Sequence, residues 1–127
     1  MSRYLLYALI VLITLSCDES QQDASLLGPA NIRVQNISLF DFDEVEVAAP
    51  GGVANYGSVA VQETSDYQSF TEAYRYAAIR VTIDDKDFVL QPIDYVGESP
   101  LGAGNFTYII DVPDYEGSGI TPILAVD

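Results

Sequence analysis

The feature that most constrains the fold is an alternation of apolar and polar residues with a period of two, which recurs from Asn31 onward. Within the segment Tyr74 to Ile83, four apolar residues share one face: Ala77, Ile79, Val81 and Ile83. Because successive side chains of a β-strand point to opposite faces of a sheet, this pattern predicts a strand with one buried face. A tight turn at Asp84 to Asp87 and a returning strand through Phe88 and Leu90 complete a predicted hairpin.

A second strong strand is predicted from Asn105 to Val112, directly after the Gly102-Ala103-Gly104 turn. Its alternate residues Phe106, Tyr108, Ile110 and Val112 are apolar or aromatic, as expected for a face that packs into a core. Weaker alternation predicts four further strands: Ile32 to Leu39, Val45 to Ala48, Ser58 to Gln62 and Ile120 to Val126.

Three local irregularities refine this pattern. The apolar phase slips between Val34 and Ile37, which predicts a bulge or bend in the first strand. Pro122 cannot donate a backbone hydrogen bond, so the last strand is expected at the edge of a sheet. The segment Asp66 to Ala73 lacks clear alternation and could form one or two helical turns instead.

About seven short strands separated by turns are typical of an all-β antiparallel β-sandwich, with an immunoglobulin-like or transthyretin-like topology. A closed barrel is the alternative, because alternation alone does not separate the two architectures. The predicted domain covers residues 31–127 and must be stabilised by packing, since the chain has a single cysteine and no internal disulfide can form.

The amino terminus has the pattern of a secretory signal. A basic Arg3 precedes an apolar run from Leu5 to Leu15, and the small residue Ser16 precedes Cys17. The run is too short for a transmembrane helix, which needs about 20 apolar residues. We therefore predict a cleaved signal peptide over residues 1–16.

The segment Thr14-Leu15-Ser16-Cys17 resembles the lipobox of bacterial lipoproteins, departing from it at Thr14, where that family has Leu. The resemblance implies that Cys17 takes a diacylglycerol and becomes the first residue of a membrane-anchored envelope protein. Residues 17–30 are then the lipidated cysteine and a flexible acidic tether, because the polar composition of Asp18 to Ser25 disfavours folding. Asp18 and Glu19 also resemble the surface-export signal of Bacteroidota lipoproteins, which favours the outer membrane.

The chain is strongly acidic, with 19 acidic and five basic residues and a formal net charge of -14. Phosphate backbones are bound by Lys and Arg, so this charge excludes a nucleic-acid partner. A solvated, solubilising surface accounts for most of the acidity. The same charge would also speed encounter with a basic partner, so an acidic inhibitor or capture protein for a basic partner, such as a cationic enzyme, is an alternative function.

The residues present exclude several kinds of catalysis. The chain contains no His, and its one Cys is assigned to lipid, so Ser-His, Cys-His and His-ligated zinc sites are excluded. A glycan hydrolase based on two carboxylates is the catalytic alternative that remains. We predict a protein without enzymatic activity.

Two groups of residues are candidates for binding. Asp41, Asp43 and Glu44 place three carboxylates within four residues, a pattern that suits calcium, and no other cofactor is predicted. Tyr56, Tyr95 and Tyr115 are predicted in loops, where a ring with a polar tip suits ligand contact.

The order of segments in the first half of the domain also resembles small extracellular bacterial β-sandwich domains of uncharacterised function. The segments that carry this resemblance are Ile32 to Ser38, Phe42 to Val47, Asn55-Tyr56-Gly57 and Ser65-Asp66-Tyr67. It implies the fold and no catalytic residue. Together these patterns predict a lipid-anchored envelope lipoprotein that acts as a non-catalytic binding, adhesion or assembly module for a protein or glycan.

Overall fold

A computed structural model describes residues 29–117 and 119–127 of the chain. These residues form eight strands: β1 Ala30–Asn36, β2 Phe42–Ala49, β3 Gly52–Val59, β4 Gln68–Phe70, β5 Ala78–Ile83, β6 Lys86–Leu90, β7 Gly104–Asp111 and β8 Thr121–Val126. No helix with the length and apolar character of a membrane span occurs in this part of the chain.

The strands form two four-stranded sheets, with the orders β4-β1-β7-β8 and β3-β2-β5-β6. Every neighbouring pair is antiparallel except β1 and β7, which run parallel. The predicted all-β sandwich is confirmed. In the immunoglobulin-like order the first strand pairs with the second, whereas here it lies between the fourth and the seventh, which leaves the transthyretin-like alternative.

The core lies between the two sheets and contains the side chains that the alternation predicted. From β5 and the residue before it come Ala77, Ile79, Val81 and Ile83, all buried. From β7 and the residue after it come Phe106, Tyr108, Ile110 and Val112, also buried. Complete burial of a large aliphatic or aromatic side chain stabilises the fold by about 1.5–3 kcal/mol, so these two strands supply much of the packing energy.

The hairpin between β5 and β6 is tighter than predicted. Ile83 pairs with Lys86, so only Asp84 and Asp85 form the turn. Both have positive φ angles, 50° and 66°, as in the two-residue turns whose twist matches that of the strands they join. Asp tolerates this conformation better than most residues, and the Asp84 amide also donates to the Asp43 carboxylate at 2.8 Å.

Two expectations about irregular segments are wrong. The segment proposed as a helical turn contains the short strand β4, because the buried Phe70 pairs with Ala30 and extends the first sheet. The bulge or bend expected between Val34 and Ile37 is absent from β1, since burial alternates regularly from Ala30 to Asn36. The irregular pairing lies between β2 and β3 instead, where the register shifts between Phe42 and Glu46.

The apparent slip in β1 has a different cause, which is a buried polar residue at its end. The side chain of Asn36 is fully buried. Its amide nitrogen donates to the carbonyls of Phe40 at 2.7 Å and Val59 at 3.0 Å. Its amide oxygen accepts from the backbone and the hydroxyl of Ser38 at 2.8 and 2.7 Å. Asn36 therefore connects the end of β1 to the segment before β2 and to the end of β3 in the opposite sheet.

The replacement Asn36→Asp tests this connection with almost no change in shape. An ionised carboxylate cannot donate, so the carbonyls of Phe40 and Val59 lose their donor. Each unsatisfied buried group costs about 1–3 kcal/mol, so we expect a loss of at least about 2 kcal/mol in the free energy of unfolding at neutral pH. Chemical denaturation measures it. The control Gln68→Glu makes the same chemical change at an exposed position and should cost less than about 0.5 kcal/mol; equal losses would contradict the role of Asn36.

Candidate functional site

Three tyrosines hold the loop that follows β6 against the sandwich. The Tyr95 ring stacks on Tyr74 and Tyr76, with centroids 4.7 and 5.4 Å apart and interplanar angles of 21° and 18°. The Tyr76 hydroxyl donates to the carbonyl of Asp94 at 3.3 Å. The hydroxyl of the buried Tyr108 donates to the carbonyl of Tyr74 at 2.6 Å and so fixes the row to the core. We call Tyr74, Tyr76 and Tyr95 the tyrosine row.

A cleft of about 390 Å³ opens beside the tyrosine row. It lies between the edge strand β6 of one sheet and the edge strand β8 of the other. Its lining consists of Tyr76, Leu90, Pro92, Ile93, Asp94 and Pro122. Leu90 ends β6 and Pro122 is the second residue of β8. We call this the seam cleft, because it occupies the gap between the two sheet edges.

The surface of the seam cleft is mainly apolar and faces solvent. Ile93 is 97 % exposed and Val96, three residues further along the loop, is 86 % exposed. The loop keeps its shape through its own hydrogen bonds, in which the Asp94 carboxylate accepts from the amide of Val96 at 3.1 Å and the Tyr95 carbonyl accepts from the amide of Glu98 at 3.0 Å. An ordered loop thus presents large apolar side chains to water.

The hydroxyls of Tyr74 and Tyr95 stay protonated at neutral pH, because their surroundings raise the pKa of each. Burial, with a smaller effect of the neighbouring Tyr76, raises the pKa of the Tyr95 hydroxyl above its ordinary value. The pKa of Tyr74 is raised first by its hydrogen bond to the Glu72 carboxylate, at 2.6 Å, and then by burial. The described lining of the seam cleft contains one tyrosine, Tyr76, and one carboxylate, that of Asp94, so the cleft can bind an apolar group next to a polar one.

Of the three tyrosines predicted to contact ligands, only Tyr95 adjoins the seam cleft. Tyr56 lies on β3 rather than in a loop. Its hydroxyl donates across the sandwich to the carbonyl of Ile32 at 2.6 Å, and burial strongly raises its pKa. Tyr56 therefore connects the two sheets.

Tyr115 lies in the loop after β7, where its ring packs against other aromatic side chains. The centroids of Phe88 and Phe40 are 5.5 and 5.7 Å from its own. The Lys86 ammonium group lies 4.8 Å from the ring centroid and donates to the carbonyl of Tyr115. These contacts give Tyr115 a packing role at the turn between β5 and β6.

The structure does not bring Asp41, Asp43 and Glu44 together. The Asp41 carboxylate accepts from the amide of Val61 at 2.9 Å, and Asp43 accepts from the amide of Asp84. Glu44 accepts from the side chain of Asn55 at 2.8 Å. In residues 29–117 and 119–127, no three acidic, His or Cys side chains form a group suited to a metal ion. Calcium binding by these carboxylates stays a sequence prediction.

A polar cluster on the outer face of the first sheet fixes the end of β8. Asp127 forms an ion pair with Arg33 at 3.3 Å and accepts from the hydroxyls of Tyr67 at 2.6 Å and Thr107 at 2.7 Å. The hydrogen bond from Tyr67 is the main cause that lowers the pKa of the Asp127 carboxyl, with Thr107 and Arg33 adding to it. The cluster satisfies its own charges and hydrogen bonds, which is typical of a structural role.

Sequence reasoning missed most of the seam cleft. The predicted lipidation site, Cys17, lies outside the described residues. The available signal was the segment Pro92-Ile93-Asp94-Tyr95-Val96, which combines large apolar residues with a Pro in a region without alternation. Pro122 was recognised as an edge residue, and β8 is an edge strand as predicted. That β6 and β8 border the same gap is a property of the topology, which the sequence does not display.

No protein-family model matches the sequence, and no curated protein matches it at a significant level. Among solved structures, the chain is similar to the NMR structure of a protein from Eubacterium rectale. The two share 13 % sequence identity and a TM-score of 0.55, over 74 % of this chain and 87 % of the other. A likeness at this identity supports the fold alone.

Proposed function

We propose that this protein is a lipid-anchored envelope lipoprotein of the bacterial outer membrane that acts as a non-catalytic binding module, with the seam cleft as its binding surface. The observation that carries the proposal is the exposure of Ile93 and Val96 beside a preformed apolar cleft. Exposed apolar surface next to an ordered cavity is characteristic of interaction sites, because burying it against a partner is favourable. The tyrosine row supports the cleft from behind and keeps it formed.

The carboxylates at the seam cleft favour binding over hydrolysis. Hydrolysis of a glycan by two acids requires a pair of carboxylates about 5–9.5 Å apart on either side of the bond that is cut. Asp94 is the one acid among the lining residues that the structure describes, and its carboxylate accepts a hydrogen bond within its own loop. This arrangement suits recognition of a partner without chemical change.

The membrane part of the proposal depends on the amino-terminal sequence. The first strand begins at Ala30, and in the sequence a polar stretch from Asp18 to Ser25 follows Cys17. A flexible tether of about 12 residues has a root-mean-square reach of about 20 Å, which is enough to hold a domain clear of lipid headgroups. Lipid on Cys17 would thus keep the seam cleft near the membrane and accessible to partners.

Capture of a basic partner is the second candidate function, and it can use the same cleft. The net charge of -14 favours it, because long-range attraction speeds encounter with a cationic protein. A contact made mainly by charge weakens steeply with salt, whereas burial of apolar groups in the seam cleft does not. Binding that persists at high salt would therefore favour the cleft over charge alone.

Cell fractionation tests the membrane anchor. We expect wild-type protein in the membrane fraction and the Cys17→Ser variant in the soluble fraction, because two or more acyl chains give stable attachment and their loss removes it. Mass spectrometry of the wild-type amino-terminal peptide should show acyl groups on Cys17. Wild-type protein in the soluble fraction would contradict the anchor and leave the binding proposal intact.

Photocrosslinking in the cells that make the protein tests the binding surface. A photoreactive residue at position 93 should form crosslinked adducts with a defined partner, because Ile93 lines the seam cleft. The matched control is position 39, since Leu39 is also a large apolar residue and 86 % exposed, but it lies in the loop between β1 and β2. Equal adducts at both positions, or none at position 93, would contradict a binding role for the cleft.

A further inference from the structure

The four sheet edges of the sandwich differ in how they are protected from pairing with another chain. An exposed edge strand is a template for strand addition, and proteins block such edges with short strands, bulges, charges or prolines. β4 has only three residues, and β3 pairs irregularly with β2 and contains two positive-φ glycines, Gly52 and Gly57. β6 carries Lys86 and Asp87. β8, with the sequence Thr-Pro-Ile-Leu-Ala-Val, has six residues and no charge.

The register of β8 shows which of its backbone groups face away from the sheet. The amide of Asp127 donates to the carbonyl of Asn105 in β7 at 3.0 Å. In an antiparallel pair the bonded and non-bonded residues alternate, so Ile123 and Ala125 also bond to β7. Pro122, Leu124 and Val126 then direct their backbone groups outward. Pro122 lacks a donor, so the outward edge offers two N–H groups and three carbonyls.

This outward edge is continuous with the seam cleft. Pro122 belongs to both, since it is part of β8 and lines the cleft beside Ile93 and Leu90. Pro122 pairs with the buried Ile110, so its side chain lies on the inner face of the sheet. A strand added to β8 would place its alternate side chains on that same face, over the cleft. Backbone pairing and a side-chain pocket together are the usual basis of strand-addition recognition.

The charges near β8 favour a basic partner. Asp94 lies in the cleft, and Asp111 pairs with Thr121 at the start of the strand. Asp127, at the other end, is already compensated by Arg33. A second copy of this chain would bring another net charge of -14 to the same edge, and that repulsion opposes self-association.

We infer that β8 and the seam cleft together bind an extended, basic segment of a partner protein, which adds to the sheet as a strand and places an apolar side chain in the cleft. Main-chain hydrogen bonds to Leu124 and Val126 would supply affinity, and the cleft would select the apolar side chain. This inference rests on the proposed function and specifies its partner class. Lysines on the other face of the added strand would lie on the same side of the sheet as Asp111, which pairs with Thr121.

The probe is a blocked hexapeptide of alternating lysine and valine, titrated into the full-length protein purified from its cells in lipid nanodiscs. We expect the largest NMR shift changes at the amides of Leu124 and Val126, and at least about tenfold slower hydrogen exchange there, because both amides become bonded to the peptide. The same peptide N-methylated at every residue keeps its charge and side chains but cannot pair. It should bind at least tenfold more weakly.

Protein variants test the apolar contribution of the cleft. Ile93→Ser should weaken peptide binding about threefold or more, because it removes apolar surface from the cleft. The control Leu39→Ser makes the same change at a comparably exposed position and should leave the affinity unchanged. Neither change is expected to disturb the fold, since both side chains are exposed.

Three outcomes would overturn the inference. The first is that the N-methylated peptide binds as tightly as the parent peptide. The second is that the amides of Leu124 and Val126 stay unchanged while shifts spread over the acidic residues of the protein surface. The third is that the same two amides shift with protein concentration alone, which would identify a second copy of the chain as the occupant. Crosslinking at position 93 in cells is independent of all three. Adducts there with a negative peptide result would retain the cleft as a binding surface and reject strand addition.

Discussion

The fold depends on one buried amide, that of Asn36, which joins the two sheets where the chain first crosses between them. Its side chain donates two hydrogen bonds and accepts two. The partners lie in the segment after β1 and at the end of β3. Its backbone bonds to Glu63 and accepts from Gln62, which extends the connection to the segment before β4. A buried polar group satisfied this completely fixes one geometry, because any displacement leaves groups unpaired in an apolar core. At the same end of the sheet, Ile37 donates to Ile110 of β7.

At other places, side chains from one sheet contact the other sheet or cover its turns. The gap between β6 and β8 is covered least. Tyr56 ties β3 to β1, and Tyr115 covers the turn between β5 and β6. Between β6 and β8 the gap is bordered by the loop after β6, which carries Tyr95. This loop forms one wall of the seam cleft and exposes Ile93 to solvent. The buried network fixes the two sheets, and the loop between β6 and β7 presents the exposed side chains of Ile93 and Val96.

The sequence predicted those parts of the fold in which alternation is strong and local. The buried faces of β5 and β7 and the edge position of β8 follow from side-chain period and from a Pro without a donor. The pattern does not reveal β4, because three residues are too few to show a period. At Asn36 the apolar alternation is interrupted although the strand continues, because this buried residue has a polar side chain. Among the candidate ligand residues, Tyr56 and Tyr115 could not be told from Tyr95, since hydroxyl partners such as Ile32 are distant in sequence. The seam cleft could not be predicted from the sequence for the same reason. Leu90 and Pro122 are distant in sequence and line one cleft only because the topology places β6 and β8 at the same gap.

Among the described residues no strand pairs with the outer side of β8, which lies beside the seam cleft, and hydrogen exchange of the free protein tests this open edge most directly. Leu124 and Val126 should exchange their amide hydrogens at least about tenfold faster than Ile123 and Ala125, because only the latter pair is bonded to β7. Such an alternation along a single strand would show that its outer side is open to solvent and available to a partner. Equally slow exchange at all four amides would contradict the account, because it would mean that the outer edge of β8 is already paired.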